Sequence, residues 1–198
     1  MPIKSSARRR QLLMPLISSL CAAALGCFVN VPALAADMLH DFSAFNFIDN
    51  SEINTSEMRG SIMVLVFGSI YCKPCIELLP IMNTLHERYY YGDVRVICLD
   101  IDLAVDPALQ REFVNRHAIK PPYIINALQI ARNNRVFMLP TTLIVNREGE
   151  IVKRIYGFKK IRAFESALKK LCPVTEQPSI AAQPDPEHEP AHQHESHR

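Results

Sequence analysis

A continuous apolar segment followed closely by two cysteines is the feature that most constrains the fold of this chain. Residues 62–67 read Ile-Met-Val-Leu-Val-Phe, and Cys72 and Cys75 follow after four further residues. Continuous apolarity, rather than alternation, is typical of a strand that is buried on both faces. An amphipathic helical pattern then extends to about residue 91. The sequence therefore predicts a buried strand, a Cys-x-x-Cys turn and a helix that packs on a sheet.

The remaining segments predict further strands and helices around that first unit. A second strand at residues 94–99 and a helix that begins near Pro107 follow. A short strand, a short helix, a hairpin and a final amphipathic helix come next, at residues 123–125, 127–133, 141–155 and 161–171. Alternating strands and helices imply parallel pairing, and the hairpin adds an antiparallel part. We therefore expect an α/β domain over residues 36–172 with a mixed central sheet flanked by helices. Residues 37–60 are expected to form an N-terminal extension with a short hairpin.

The first 35 residues have the layout of a secretory signal peptide. Residues 1–10 are basic, residues 12–36 carry no charge, and Ala33-Leu34-Ala35 supplies small residues before a cleavage site at Ala36. The uncharged stretch is also long enough to span a bilayer, so a retained N-terminal membrane anchor is an alternative. A lipoprotein cleaved before Cys27 is a third. All three place the body of the protein in the periplasm or elsewhere outside the cytoplasm.

Residues 173–198 differ from the rest of the chain in composition. They contain five prolines, five acidic residues and few large apolar ones, so this Pro/His/acid-rich tail is predicted to be disordered. Four histidines lie among these acids: His188, His192, His194 and His197. They predict a metal-binding tail, with copper as the candidate metal. The alternative is a solvating tail whose metal affinity is incidental.

Charge and glycine content exclude two classes of function. Residues 36–172 carry 17 basic and 15 acidic residues, a balance that argues against the basic face of a nucleic-acid-binding protein. The whole chain has six glycines and no glycine-rich phosphate loop, which argues against a phosphate-binding site of the Walker type.

The Cys-x-x-Cys segment predicts a redox-active dithiol. A helix N-terminus stabilises a thiolate at Cys72, and the charge of Lys73 adds to this effect. Pro74 suits the first helical turn, where its missing N–H is not needed. Cys75 lies one turn further on and is placed to resolve a mixed disulfide formed by Cys72. Zinc binding and a structural disulfide are the alternatives, but structural zinc requires two further ligands, for which the sequence offers no second pair.

Two stretches resemble thioredoxin-fold proteins. Residues 67–75, Phe-Gly-Ser-Ile-Tyr-Cys-Lys-Pro-Cys, are similar to the active-site strand and turn of that fold. Residues 138–149, with Leu139-Pro140-Thr141-Thr142 and an Asn-x-x-Gly turn, resemble its second half in extracytoplasmic thiol–disulfide oxidoreductases of the TlpA/ResA type. The resemblance covers residues 60–171. The segment between His117 and Leu139 matches the strand–helix insertion of that type.

The resemblance implies roles for several residues. Pro140 is expected to be a cis-proline that faces the two cysteines, and the main chain of Leu139 is expected to pair with substrate. Tyr71 replaces the tryptophan that is common before the first cysteine. Val66 and Leu103 occupy positions where relatives carry a buried acid, so the acid that assists proton transfer is unassigned. Asp102 is the candidate for this acid. The alternative is that Asp102 is a solvated loop carboxylate.

Three functions are consistent with these features. The first is a reductase of protein disulfides that needs no cofactor beyond the Cys72–Cys75 pair and receives electrons from a membrane protein. The second is an oxidase that forms disulfides at the same site. The third is a metal chaperone that uses the histidine-rich tail. Cys98 is interpreted as a buried, inert thiol. Three alternatives remain open for Cys172: a free thiol, a disulfide with Cys98 or a disulfide with another chain.

Overall fold

The computed structural model describes residues 36–89 and 92–172. The two terminal predictions, the signal peptide or anchor and the histidine-containing tail, lie outside these residues. The elements in chain order are β1 Ser43–Phe45, β2 Glu52–Asn54, β3 Ile62–Gly68, α1 Lys73–Tyr89, β4 Val94–Asp100, α2 Pro107–Arg116, β5 Tyr123–Ile124, α3 Leu128–Asn133, β6 Thr141–Val145, β7 Ile151–Tyr156 and α4 Ile161–Leu171.

Five strands form one mixed sheet, as predicted. The strand order is β5-β4-β3-β6-β7. Strands β3, β4 and β5 run parallel to one another, whereas β6 is antiparallel to both β3 and β7. As a result β3, β4 and β7 finish where β6 begins, and we call this the upper end of the sheet. The predicted insertion is present as β5 and α3, between α2 and β6.

The sheet is covered on both faces, which explains the continuous apolarity of β3. Val64 and Val66 point into one cluster with residues of α1, α2 and α4. Leu65 and Phe67 point into a second cluster with α3 and the N-terminal extension. All six residues from 62 to 67 are buried, so neither face of this strand tolerates a polar side chain.

The N-terminal extension contains the predicted hairpin, in which β1 and β2 pair antiparallel. The residues before it attach to the start of β7, because the Leu39 N–H donates to the Gly149 carbonyl and the Ile151 N–H donates to the Asp37 carbonyl. The Arg154 guanidinium also donates to Asp37 Oδ2 at 2.8 Å. The extension is therefore fastened to the domain by main-chain and side-chain bonds.

A helix that crosses a membrane must be both long and apolar. Among the helices that the structure describes, none combines the length and the apolar character that crossing a membrane requires.

Candidate active site

Cys72 and Cys75 form a disulfide at the N-terminus of α1, at the upper end of the sheet. Their sulfur atoms are 2.12 Å apart and their Cα atoms 5.2 Å apart. The Cys72 carbonyl accepts hydrogen bonds from the N–H groups of Cys75 and Ile76, so Cys72 immediately precedes the helix. Cys72 is half-buried, whereas Cys75 is 7% exposed. Of the two sulfurs, that of Cys72 is therefore the more accessible to another molecule.

The start of α1 favours negative charge on Cys72. The first turn contains no acidic residue, and the free N–H groups of a helix N-terminus carry partial positive charge. Lys73 and Pro74 are exposed and occupy the first two helical positions. A thiolate at Cys72 is stabilised by this environment, and a thiolate is the reactive form of cysteine.

Asp102 fixes the segment that leads into Cys72. Its Oδ2 accepts a hydrogen bond from Ser69 Oγ at 2.8 Å and another from the Ile70 N–H at 3.0 Å. Ser69 Oγ in turn accepts from the Tyr71 N–H. Asp102, the candidate for assisting proton transfer, is half-buried, and its Oδ2 accepts both of these bonds. It orients the loop between β3 and α1.

A different carboxyl lies behind the cysteines. Asp100, at the end of β4, is 1% exposed. Its Oδ2 accepts from Gln110 Nε2 at 2.8 Å and from the Tyr123 hydroxyl at 2.9 Å, and its Oδ1 accepts from the Asp102 N–H. Burial raises the pKa of Asp100 above its ordinary value. Burial also raises the pKa of Tyr123, and the nearby Asp100 charge adds to that shift.

Asp100 and Cys75 line one small cavity. Its volume is about 20 Å³, enough for a single water molecule, and Cys98, Tyr123 and Gly68 contribute to its wall. Gly68 allows close packing there, because a Cβ at this position would lie 3.3 Å from Cys75 Cβ. Once the disulfide is reduced, the Cys75 thiol and the Asp100 carboxyl share the lining of this cavity.

Asp100 was not identified from the sequence, although its position offered a signal. It ends an otherwise apolar strand and pairs in register with Gly68, next to the cysteine turn. Its hydrogen-bond partners come from α2 and β5, ten and 23 residues further along the chain. Their approach depends on tertiary packing.

Pro140 directly precedes β6 at the upper end of the sheet. The Leu139–Pro140 peptide bond is cis, as the resemblance implied. Thr141 pairs with Phe67, next to Gly68, and the Pro140 carbonyl accepts from the Gly157 N–H at 2.8 Å. Leu139 is half-buried. Within residues 36–89 and 92–172, nothing pairs with its peptide N–H or C=O.

The other two described cysteines lie outside the disulfide, although Cys98 contributes to the cavity wall. Cys98 and Cys172 are free thiols that form no disulfide with each other in this structure. Cys98 is buried, and burial raises its pKa to about 12, so this thiol is inert at neutral pH. Among the residues that the structure describes, no group of three or more histidine, cysteine or acidic side chains is arranged to hold a metal ion.

Comparison with known proteins agrees with the resemblance to thioredoxin-fold proteins. The model of the thioredoxin-like domain family matches residues 50–171. The thiol-disulfide oxidoreductase ResA of Bacillus anthracis is 32% identical over 127 residues, which are 64% of this chain and 72% of ResA.

Two solved structures share the fold. A thioredoxin family thiol:disulfide interchange protein from Chlorobium tepidum has a TM-score of 0.60 at 14% identity, covering 70% of this chain and 98% of that one. StoA from Bacillus subtilis has a TM-score of 0.57 at 17% identity, covering 66% and 97%. With its disulfide turn, its mixed sheet and these similarities, the chain belongs to the thioredoxin-like family as a ResA-like thiol–disulfide oxidoreductase.

Proposed function

We propose that this protein reduces disulfides of protein substrates outside the cytoplasm. The observation that carries the proposal is the unequal exposure of the two sulfurs, with Cys72 half-buried at a helix N-terminus and Cys75 shielded behind it. An accessible sulfur whose thiolate is stabilised is suited to attack, and a shielded neighbouring thiol is suited to resolve the product.

The proposed reaction has two exchange steps. The Cys72 thiolate attacks one sulfur of the substrate disulfide, the substrate S–S bond breaks, and the departing substrate thiolate takes up a proton. Cys75 then loses its proton, attacks Cys72 Sγ in the mixed disulfide and expels the second substrate thiolate, which is protonated in turn. Two electrons pass from the enzyme dithiol to the substrate, and a Cys72–Cys75 disulfide remains.

Residues around the turn are assigned supporting roles. Lys73 contributes positive charge beside Cys72, and Pro74 begins the helix without an unused N–H. The unpaired peptide groups of Leu139 are available to the main chain of a substrate, next to Pro140. Tyr71, which is 72% exposed, offers an aromatic surface beside the reacting sulfur.

Repeated turnover requires a source of electrons and a location. A membrane protein that passes reducing equivalents outward is proposed as the donor, because the Cys72–Cys75 disulfide must be reduced after each cycle. The basic residues 1–10 and the uncharged stretch that ends at Ala36 support export. Export places the dithiol in a compartment where disulfides persist and a dedicated reductase is needed.

The reduction potential of the Cys72–Cys75 pair tests the direction of electron flow. Residues 36–198 carrying Cys98→Ala and Cys172→Ala are equilibrated with dithiothreitol or glutathione buffers, so that only this pair titrates. A potential near or below about −250 mV supports a reductase. A potential near about −120 mV would identify an oxidant, and failure to form the disulfide would contradict both redox functions.

A further inference from the structure

Four exposed apolar side chains belong to connections at the upper end of the sheet, where the disulfide turn also lies. Their exposed fractions are 72% for Tyr71, 85% for Phe137, 56% for Met138 and 39% for Phe158. We call these four residues the apolar patch. Large apolar side chains at such exposure are unfavourable in water, and when they cluster they mark an interaction site.

The topology of the sheet places these residues together. Tyr71 follows β3, Phe137 and Met138 precede β6, and Phe158 follows β7. These three strands are neighbours, in the order β3-β6-β7. Since β3 and β7 finish where β6 begins, all four side chains belong to connections at the upper end of the sheet, where Cys72 also lies.

The same connections carry positive charge without any acid. Residues 69–73, 135–140 and 157–160 contain Lys73, Arg135, Lys159 and Lys160, all exposed, and no Asp or Glu. Within the described part of the chain, these four cations form no salt bridge. Without them, residues 36–172 would hold 13 basic residues against 15 acidic ones. These four cations thus outnumber the net basic excess of two in residues 36–172, while the neighbouring connection after β4 carries Asp102 and Asp106.

We propose that the apolar patch and its four cations select substrate segments in which apolar residues next to the reacting cysteine are flanked by Asp or Glu. The inference rests on the proposed reduction of protein disulfides and adds the class of substrate. The substrate's apolar side chains cover the patch, and its carboxylates lie near cations that have no internal partner. Complementary charge of this kind governs the choice of partner and the rate of encounter.

A peptide fits this surface better than a lipid headgroup does. The peptide N–H and C=O of Leu139, between Met138 and Pro140 in the chain, have no partner among the described residues. An extended main chain can pair with both groups, whereas a headgroup phosphate can accept from the N–H but has no donor for the C=O. Cys72 directly follows Tyr71, and its reaction requires a partner that carries sulfur.

The test compares two disulfide-containing peptides that differ only in charge. Both carry the same apolar residues around the cysteine, with two flanking glutamates in one and two flanking lysines in the other. Reduction by the full chain is followed at low salt, and kcat/KM is expected to favour the acidic peptide by about tenfold. The preference should shrink severalfold when salt is raised to about 0.3 M, because exposed charges are screened.

Charge reversal at the patch supplies the matched variants. Lys159→Glu with Lys160→Glu brings the summed charge of these connections from +4 to zero and should abolish the preference. Lys169→Glu with Lys170→Glu makes the same change in net charge at exposed positions in the last turn of α4 and should preserve the preference. Equal effects of both double variants would overturn the inference, because the preference would then reflect net charge alone.

The remaining outcomes separate this inference from the proposed function. Reduction of both peptides at equal rates at low salt overturns the selection while leaving the reductase function intact. Reduction of neither peptide, with normal equilibration of the Cys72–Cys75 pair against dithiothreitol, overturns the proposed function itself. Binding to anionic phospholipid vesicles that is lost in Phe137→Ser, without any peptide preference, would assign the patch to a membrane surface instead.

Discussion

Asp100 is a carboxyl held in an environment that disfavours its charge. It is nearly inaccessible to water, and burial raises its pKa above the ordinary value of 3.8. The folded protein therefore retains a proton that the unfolded chain releases at lower pH. As pH rises from about 4 through the folded pKa, stability is lost, because the folded state must ionise a buried group.

We predict that Asp100→Asn is more stable than the wild type near neutral pH, with an advantage that shrinks below about pH 4. The amide fits the site, because Gln110 can turn its buried and unpaired Oε1 toward the new N–H₂ group. Urea unfolding of the oxidised protein at several pH values measures the difference. Glu112→Gln, an exposed acid on α2, serves as the control and should leave the pH dependence unchanged. A variant less stable than the wild type at pH 7 would contradict this account of Asp100.

The same substitution should slow the second chemical step. If the Asp100 carboxylate takes the Cys75 proton across the shared cavity, its loss is expected to slow release of the mixed disulfide by roughly a hundredfold at pH 7. In the wild type, the rate of that step should rise as Asp100 ionises, and the variant should lack this limb of the pH profile. Single-turnover kinetics with a fluorescent mixed disulfide on Cys72 follow the step directly. An unchanged pH profile would leave Asp100 with a structural role only.

The two sulfurs should have different mutant phenotypes. Cys75→Ser is expected to accumulate a mixed disulfide through Cys72, because the resolving thiol is absent, and Cys72→Ser is expected to abolish turnover. Mass spectrometry of the trapped adduct after proteolysis identifies the bonded cysteine. An adduct through the sulfur of Cys75, isolated from Cys72→Ser at a comparable rate, would reverse the two roles.

At the scale of elements, the loop between β3 and α1 depends on the carboxylate of Asp102, which lies in the segment after β4. Asp102→Ala removes the acceptor for Ser69 Oγ and for the Ile70 N–H. Hydrogen bonds to charged groups contribute more than neutral ones, so we expect a loss of about 2 kcal/mol in unfolding free energy and slower thiol exchange. Urea denaturation and the rate of reduction by dithiothreitol measure the two effects.

Asp93→Ala is the control for Asp102→Ala, because it also removes a carboxylate but at the protein surface. Asp93 forms an ion pair with Arg147 but its side chain is 68% exposed. Exposed pairs contribute little, so Asp93→Ala should cost less than about 1 kcal/mol. If the two alanine variants were equally stable, the loop would not depend on Asp102.

The elements themselves follow from local patterns. The apolar run of β3, the proline at the start of α2 and the turn between β6 and β7 each encode their element within a few residues. Strand β5 ends at Ile124, one residue earlier than predicted, and Asn126 takes a positive φ of 56° soon after it. The Asp100 site could not be predicted in the same way, since it joins side chains from three elements. Asp102 was singled out in the sequence, but its partners depend on how the loop folds back.

At the scale of the whole molecule, Arg154 joins three parts of the chain. Its guanidinium donates to Asp37 in the N-terminal extension and to the Asn134 carbonyl after α3, from a position on β7. The side chain is 17% exposed. Few other single residues in the described part of the chain bridge such distant segments.

We predict that Arg154→Met destabilises the protein by about 2 kcal/mol, because it leaves the buried Asn134 carbonyl and the partly exposed Asp37 carboxylate without their donor. Lys153→Met, at the exposed neighbouring position, should change stability by less than about 0.5 kcal/mol. Urea unfolding measures both, and proteolysis of residues 36–42 reports release of the extension. Equal stability of the two variants would show that the extension is held by its main-chain bonds alone.

The attachment of residues 37–39 also has a consequence for self-association. Strand β7 is the last strand of the sheet, and among the described residues the bridge between Met38 and Glu150 covers only its beginning. An open strand edge is a template on which another molecule can add a strand, and charged residues such as Lys153 oppose this. Removal of residues 36–39 would uncover the start of β7 as well. This short segment therefore protects the protein against polymerising through its own sheet.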